Sequence, residues 1–373
     1  MSGSLLAYRG RMANPASSDR IRLVVLFGGA SAEHDVSCIT AAHVLAAADR
    51  SKYELIPVGI TRDGKWIRND KAIATLADAA LDLPGVLEPE GTEIDPLSAL
   101  QRADNETVVV LPLLHGPHGE DGTVQGMLEL AGVPYVGAGV LGSAVCMDKA
   151  MAKVVTAQSQ IPQCKWVEFR AGTGEIDNLI ERAIDTLGLP VFVKPANLGS
   201  SVGISKASDR AELATAIELA LRYDEVVVIE EAVTAREIEV AVLGNREPKS
   251  SVPGEILPGA EFYDYEDKYV NGAAGLVIPA QLPEHQIAEV RRLAERAFLA
   301  LRCAGMARVD FFYEENGRGW LLNEINTIPG FTPASMYPKL WEASGLGYSD
   351  LIDRLVVLAR ERHQVRSGFS IDH

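Results

Sequence analysis

The chain has 373 residues, 47% hydrophobic and 23% charged, a composition that folds and leaves room for two or three domains with full cores. Its 35 Lys plus Arg stand against 51 Asp plus Glu, a net charge of -16, so the long-range field repels nucleic-acid backbones and anionic lipid. Cys38, Cys146, Cys164 and Cys303 form no C-x-x-C pair, which argues against a zinc ribbon, a redox dithiol or a secreted disulfide framework. Residues 1–20 lack the apolar core of a signal peptide and read as a mobile extension, and a cytoplasmic location is expected.

In chain order, the β-branched run Ile21 to Phe27 stops at Gly28-Gly29, and an Ala-rich helical stretch from about Ser37 to Ala48 leads into a strand at Tyr53 to Ile60. That order predicts a right-handed βαβ unit with a parallel sheet, to which Thr107 to Pro112 adds a buried strand. This α/β unit ends near Val136. A second unit is expected to hold a helix around Met147 to Gln158, strands at Cys164 to Phe169, Val191 to Lys194 and Val226 to Glu230, and a helix at Asp209 to Arg222. A third holds a strand at Glu237 to Leu243, a Gly-, Pro- and Tyr-rich stretch over 253–279, a helix near Pro283 to Leu301, two late strands and a closing helix at Leu351 to Arg362. Weak periodicity over so long a stretch, with aromatic residues clustered between 262 and 269, reads as a lid that docks onto something.

Two patterns match familiar chemistry only in part. Gly137-x-Gly139-x-x-Gly142 resembles a dinucleotide fingerprint, but Ala157 to Gln163 lacks the acidic residue expected about 20 positions on. Gly199-Ser-Ser201-Val-Gly203 matches a nucleophile elbow, which requires a helix directly behind Ser201; residues 202–206 read as extended. A serine hydrolase using Ser201 stands as the alternative enzyme class. A two-lobed solute-binding protein is a third, without the export signal it needs.

Read from Val193 to Gly203, the same stretch is a strand that delivers Lys194, followed by small residues offering N–H groups and two hydroxyls. That equipment suits a polyphosphate, although a surface hairpin with a salt-bridged lysine has the same pattern. Near the C-terminal end, Arg308 and Asp310 share one strand face and Glu324 and Asn326 share another, about a Glu314 to Arg318 turn. A three-residue or bulged turn sets Asp310 opposite Glu324. Two carboxylates and an amide oxygen are hard ligands of the kind Mg²⁺ takes with substrate phosphates; the bland reading is a solvated charged face. Segments 28–37, 114–122 and 326–336 also follow strand ends, where ligands bind in open α/β sheets. His34 and His118 read there as caps or loop residues.

Taken in order, GGASAEHDVS, LLHGPHGEDG, MDK, VKPANLGSSVG, YDYEDKY, ARVDFF and NEINTIPGFTPAS resemble the D-alanine–D-alanine ligase family of the ATP-grasp superfamily, over about 22–358. The resemblance implies an α/β, three-domain ATP-grasp architecture with an N-terminal parallel-sheet domain and ATP between the central and C-terminal domains. The chain would divide at 21–138, 139–233 and 234–373, with a lid loop at 253–279. The implied activity is ATP-dependent joining of two D-alanines through D-alanyl phosphate, with Mg²⁺ (two ions, replaceable by Mn²⁺), for peptidoglycan precursors, in a homodimer.

The implied roles follow residue by residue. Lys149 and Lys194 hold ATP phosphates, while Glu230, Glu231, Val233 and Glu237 hold adenine and ribose. Asp310, Glu324 and Asn326 carry the metal, and Lys268 reaches the γ-phosphate. Glu33 pairs with the first substrate's ammonium beside His115, and Arg308 with the N–H of Gly330 forms an oxyanion hole. Ser335 and the Met336 backbone take the second carboxylate. Glu33, Ser200 and Tyr269 form a hydrogen-bonded set that closes the lid. The Lys268-Tyr269 pair favours D-alanine over D-lactate as second substrate and leaves D-serine open.

Overall fold

The structure is a computed structural model that describes residues 20–78, 83–102, 106–257 and 275–370. The first part runs β1 (Ile21–Gly28), α1 (His34–Ala47), β2 (Tyr53–Ile60), β3 (Trp66–Arg68), α2 (Asp70–Ala77), β4 (Thr92–Glu93), β5 (Val108–Pro112) and α3 (Thr123–Leu130). Its sheet has the order β4-β3-β2-β1-β5, with β1 parallel to both β2 and β5 and an antiparallel edge at β3 and β4. Leu23 to Phe27 are wholly buried, as the continuous apolar run of a strand covered on both faces requires. Helix α1 starts three residues earlier than its apolar pattern suggests. Ser37, inside its first turn, accepts the Gly28 N–H at 2.8 Å and donates to the Leu113 carbonyl, tying the ends of β1 and β5 together.

The next elements are α4 (Val140–Met147), α5 (Lys149–Gln158), β6 (Trp166–Arg170), α6 (Ile176–Leu187), β7 (Val191–Pro195), β8 (Ser205–Ala207), α7 (Arg210–Ala220) and β9 (Val226–Glu231). The strands form an antiparallel sheet, β6-β9-β7-β8, and α6 and α7 cover it through Leu179, Ala183, Leu213 and Ile217. The helix expected around Met147 to Gln158 forms as α5, and a further helix that the sequence pattern did not mark, α4, meets it at Asp148. That residue is extended and its carboxylate caps α5 by accepting the Met151 N–H at 3.0 Å. Before Gly137 the chain makes a single parallel bridge between Tyr135 and Val110, not the strand that a dinucleotide fingerprint follows. In the glycine pattern itself, a Cβ on Gly142 would lie 2.6 Å from the Arg302 carbonyl oxygen, so that glycine serves close packing.

The last part holds β10 (Arg236–Gly244), β11 (Lys249–Leu257), β12 (Gly275–Val277), α8 (Glu284–Ala300), β13 (Gly305–Glu314), β14 (Gly319–Asn326), α9 (Met336–Ala343) and α10 (Tyr348–Ser367). Its sheet is antiparallel, β12-β11-β10-β13-β14. Helix α8 packs one face through Val290, Ala294 and Phe298, where Cys146 and Ile161 also lie. Tyr337, Leu340 and Leu355 of α9 and α10 meet Ala241, Leu243 and Met306 in the cluster that reaches the first sheet. The stretch read as one loop over 253–279 begins and ends as strand, since Glu255 pairs with Val277 and Leu257 with Gly275. Lys268 and Tyr269 lie outside the described residues.

In the β13–β14 hairpin, Phe311 pairs with Leu322 but Asp310 pairs with Glu324. Asn323 is therefore a bulge, inside the strand and not at the turn where sequence spacing suggested it. The extra residue switches the side on which even-numbered residues of β14 point. Glu324 and Asn326 come to share the face of Asp310 and Arg308, and Ile325 enters the core. Among the described residues, no helix is long and apolar enough to cross a membrane.

Candidate active site

A cavity of about 530 Å³ opens between the second and third sheets. Lys194 near the end of β7, Ser200 and Ser201 in the loop behind it, Glu230 and Glu231 at the end of β9, Val233 in the connection that follows and Glu237 at the start of β10 line one side. Lys149, Glu239, Arg308, Asp310 and Glu324 complete it. The strand-end lysine, the Gly-Ser loop and the carboxylate hairpin thus line one cavity. A wider groove of about 990 Å³ between the β10–β11 turn and α10 interleaves Arg246, Glu247, Lys249, Asp350 and Arg354, so opposite charges alternate and no field of one sign builds up there.

Lys194 donates to Glu230 Oε2 at 2.9 Å and lies 3.4 Å from Asn323 Oδ1, and Lys153 Nζ stands 2.9 Å from Glu230 Oε1. Burial alone would raise the Glu230 carboxyl, but the two ammonium groups outweigh it and bring it down to about 2. Burial likewise works against the Lys194 charge, and Glu230 overcomes it and holds that ammonium above its usual range. The sequence reading gave Glu230 to an adenine amino group; in the structure both its oxygens are engaged by lysines. Lys153, one turn beyond Lys149 on α5, was missed, although two lysines four apart share a helix face. Glu231 is also tied, accepting the Lys165 N–H and an Arg318 N–H at 2.6 Å each.

Lys149 opens α5 and donates to the Leu198 carbonyl, which joins that helix to the loop after β7. In that loop Ser200 and Ser201 take positive φ values of 52° and 60°. At Gly203, with φ +73°, a Cβ would lie 2.8 Å from the Tyr223 ring and 2.9 Å from Pro195. Behind Ser201 comes a turn and then β8, and α7 begins only at Arg210. The strand-turn-helix geometry of a nucleophile elbow is absent there, which removes the hydrolase reading. The Ser200 hydroxyl is buried without a hydrogen-bond partner among the described residues.

On the carboxylate hairpin, Arg308 makes a two-pronged contact with Asp310, Nε to Oδ1 at 2.8 Å and Nη2 to Oδ2 at 2.7 Å. Its Nε also lies 2.9 Å from Glu239 Oε2. Burial opposes the guanidinium charge, but Asp310, Glu239 and Glu324 together hold it well above its ordinary value. Asn326 Nδ2 donates to Asp310 Oδ2 at 2.9 Å. Glu239 was missed by the sequence reading, although strand alternation puts it on the same face as Glu237.

The substrate-side residues gather around loops of the first sheet. Glu33 precedes α1 and is nearly buried; a Cβ on Gly116 or on Gly199 would lie 3.4 Å from its Oε2. His115 is buried, with Nδ1 3.1 Å from the Ile328 carbonyl oxygen, and burial lowers its pKa although Glu33 pulls the other way. Beside it Glu120, also missed, accepts the Gly116 N–H at 2.8 Å. His118 is an exposed loop residue, as expected, whose N–H donates to Asp121 at 2.8 Å; His34 is neither cap nor solvated loop residue but the buried first residue of α1, its ring 2.7 Å from the Gly29 carbonyl. Ser335, directly before α9, contacts Thr332 Oγ1 at 2.9 Å and faces Gly330, whose Cβ would lie 3.1 Å from its Oγ; Met336 is buried at the first turn.

Residues 22–138 match the family described as D-ala D-ala ligase N-terminus, and residues 155–357 match D-ala D-ala ligase C-terminus. A D-alanine–D-alanine ligase of Caldicellulosiruptor bescii is 47% identical over 358 residues, covering 94% of this chain and 98% of that protein. One of Geobacillus thermodenitrificans is 47% identical over 92% of this chain and 97% of its own length. Among solved structures, the D-alanine-D-alanine ligase from Coxiella burnetii superposes with a TM-score of 0.78 at 35% identity, covering 93% of this chain and 97% of that one. The VanG D-Ala:D-Ser ligase from Enterococcus faecalis gives 0.77 at 34% identity, covering 91% and 100%. With both family matches and these relatives spanning nearly the whole sequence, this chain belongs to the D-alanine–D-alanine ligase family and has its three-domain ATP-grasp architecture.

Proposed function

We infer that this protein is an ADP-forming ligase that joins two D-alanine molecules at the expense of ATP, making D-alanyl-D-alanine for peptidoglycan precursors. The first substrate's carboxylate attacks the γ-phosphorus, giving an acyl phosphate and ADP. The amine of the second then attacks the acyl carbon, and the tetrahedral intermediate collapses with loss of phosphate. Such chemistry depends on positioning and on neutralising charge. The observation that carries the reading is Asp310 paired with Glu324 across a strand pair, in one cavity with Lys194 and the Gly199 to Gly203 loop.

In this reading Lys149 and Lys194 hold the phosphates, with Lys194 kept charged by Glu230. Glu231, Val233 and Glu237 border the adenosine. Glu33 and His115 receive the first D-alanine, Arg308 and the Gly330 N–H meet the oxyanion, and Ser335 with the Met336 N–H takes the second carboxylate. Ser200, with Glu33 and Tyr269, closes the site against water. The donor set of Asp310, Glu324 and Asn326 fits Mg²⁺, because carboxylate and amide oxygens are hard ligands and such an ion retains sites for water and phosphate. When bound, the ion neutralises charge on the transferred phosphoryl group.

We further propose a cytoplasmic homodimer. Leu130 and Leu141 are 93% and 60% exposed at the ends of α3 and α4, apolar surface that association with a second copy would cover; sedimentation of a Leu130→Glu, Leu141→Glu variant tests it. The activity test is release of ADP and phosphate from ATP with D-alanine and Mg²⁺, and product identification with D-alanine, D-serine and D-lactate in competition. Turnover independent of D-alanine would overturn the reading.

A further inference from the structure

Three carboxylates lie in one row across adjacent strands. Glu239 on β10 pairs with Asp310 on β13, and Asp310 pairs with Glu324 on β14. Glu239 and Asp310 are 5% and 7% exposed. Like charges directly opposite one another repel, and burial sharpens the cost. Arg308, two residues from Asp310 and so on the same face, is the cation that the row contains.

The sharing of that cation is unequal. Arg308 Nε has one hydrogen, and two carboxylate oxygens stand within 3 Å of it: Asp310 Oδ1 at 2.8 Å, which accepts the bond, and Glu239 Oε2 at 2.9 Å. Asp310 also takes Nη2 at 2.7 Å. A guanidinium occupying both oxygens of a metal-ligand carboxylate competes with the metal. A buried guanidinium that loses its partner carries a large penalty, so the competition is resolved only if a second carboxylate is in place to take the N–H.

We propose that Glu239 is a positioning residue that receives the Arg308 guanidinium when a divalent cation takes the oxygens of Asp310. This rests on the ligase reading for the identity of the reaction but not for the exchange itself, which needs only metal and nucleotide. Glu239 lies 2.9 Å from Nε already, so the handover is a small turn of the guanidinium plane. It keeps Arg308 in the cavity while separating it from the cation. The negative charge of Glu239 also screens the repulsion between the two positive groups.

Binding of Mn²⁺ to the protein with a non-hydrolysable ATP analogue, followed by electron paramagnetic resonance, tests the exchange without turnover. Glu239→Gln keeps the shape and removes the charge, and should weaken Mn²⁺ binding about ten-fold or more; Glu239→Asp should recover most of it. In turnover, Glu239→Gln should lose more activity at limiting than at saturating Mg²⁺. Unchanged Mn²⁺ affinity in Glu239→Gln overturns the proposal, even if kcat falls. Should that variant fail to fold, a structure of the unaltered protein with Mn²⁺ and the analogue decides: Arg308 turned to Glu239 supports the exchange, and Arg308 still two-pronged on Asp310 refutes it. Absence of D-alanine-dependent ADP release in the unaltered protein would instead strike the ligase reading alone.

Discussion

Glu120 Oε1 accepts the main-chain N–H of Ile328 at 3.2 Å, a bond between residues 208 apart in sequence. The carboxylate thereby joins the His115 loop to the segment leading to Gly330. Loss of water around it, with Glu33 nearby, pushes its pKa up from 4.5 to about 8, against the lowering effect of its two N–H donors. A raised folded-state pKa means that the native protein holds this proton more tightly than the unfolded chain. The stability it confers is fully present below pH 4.5 and is lost as pH rises through about 8. Glu120→Gln should flatten the decline in melting temperature across that window, measured by scanning calorimetry at stepped pH. A decline equal to that of the unaltered protein would contradict the assignment.

The Lys153–Glu230–Lys194 triad has the opposite sign. Glu230 is held at about 2 against a usual 4.5, so its stabilisation is present above pH 4.5 and fades as pH falls through about 2. Lys153→Met leaves a buried carboxylate with one partner and should cost about 3 kcal/mol in urea unfolding, the lower end for a broken buried pair. The acid limb of its stability curve should also be shallower.

Gly203→Ala combines a positive φ with a crowded Cβ. Because the Tyr223 ring is exposed and can swing away, the backbone strain should dominate, at about 1–2 kcal/mol. The expected kinetic signature is a raised KM for ATP as the loop shifts. An unchanged KM would detach this loop from the nucleotide.

Glu324→Gln removes one of two facing charges. Turnover should fall by about tens-fold or more, with part of the loss restored by raising Mg²⁺. Kinetics at limiting Mg²⁺ that match the unaltered protein would exclude Glu324 from the metal.

Much of this was legible in the chain. The Asn316-Gly317 turn and the two-residue alternation of each strand predicted Asp310 opposite Glu324, although the odd residue that makes it so is Asn323 and not one in the turn, and the β-branched runs predicted the parallel sheet. Other features depended on neighbours that no local pattern contains. Glu120 gains its raised pKa from burial and from Glu33 across the fold, and α4, with Gly142 packed against the Arg302 carbonyl, depends on a distant partner for its place. Lys153 and Glu239 had signals, a helical i,i+4 step from Lys149 and a strand step from Glu237, but nothing local marks which polar residue on a face will meet an opposite charge.

The bulge at Asn323 makes the hairpin unevenly tolerant of insertions and deletions. Adding or removing a residue in the exposed turn at 315–318 alters only the length of a solvent-side connection, with both strands left in phase. Deleting Asn323 would close the bulge into a regular ladder, with Leu322 still opposite Phe311 and Glu324 still opposite Asp310, whereas deleting Ile325 would put Asn326 opposite Val309 and carry its amide from the carboxylate face into the packed interior. Sequence-length variation in this stretch should therefore be confined to the tip and the bulge, and a laboratory library of single-codon deletions should recover viable chains there and none at Ile325.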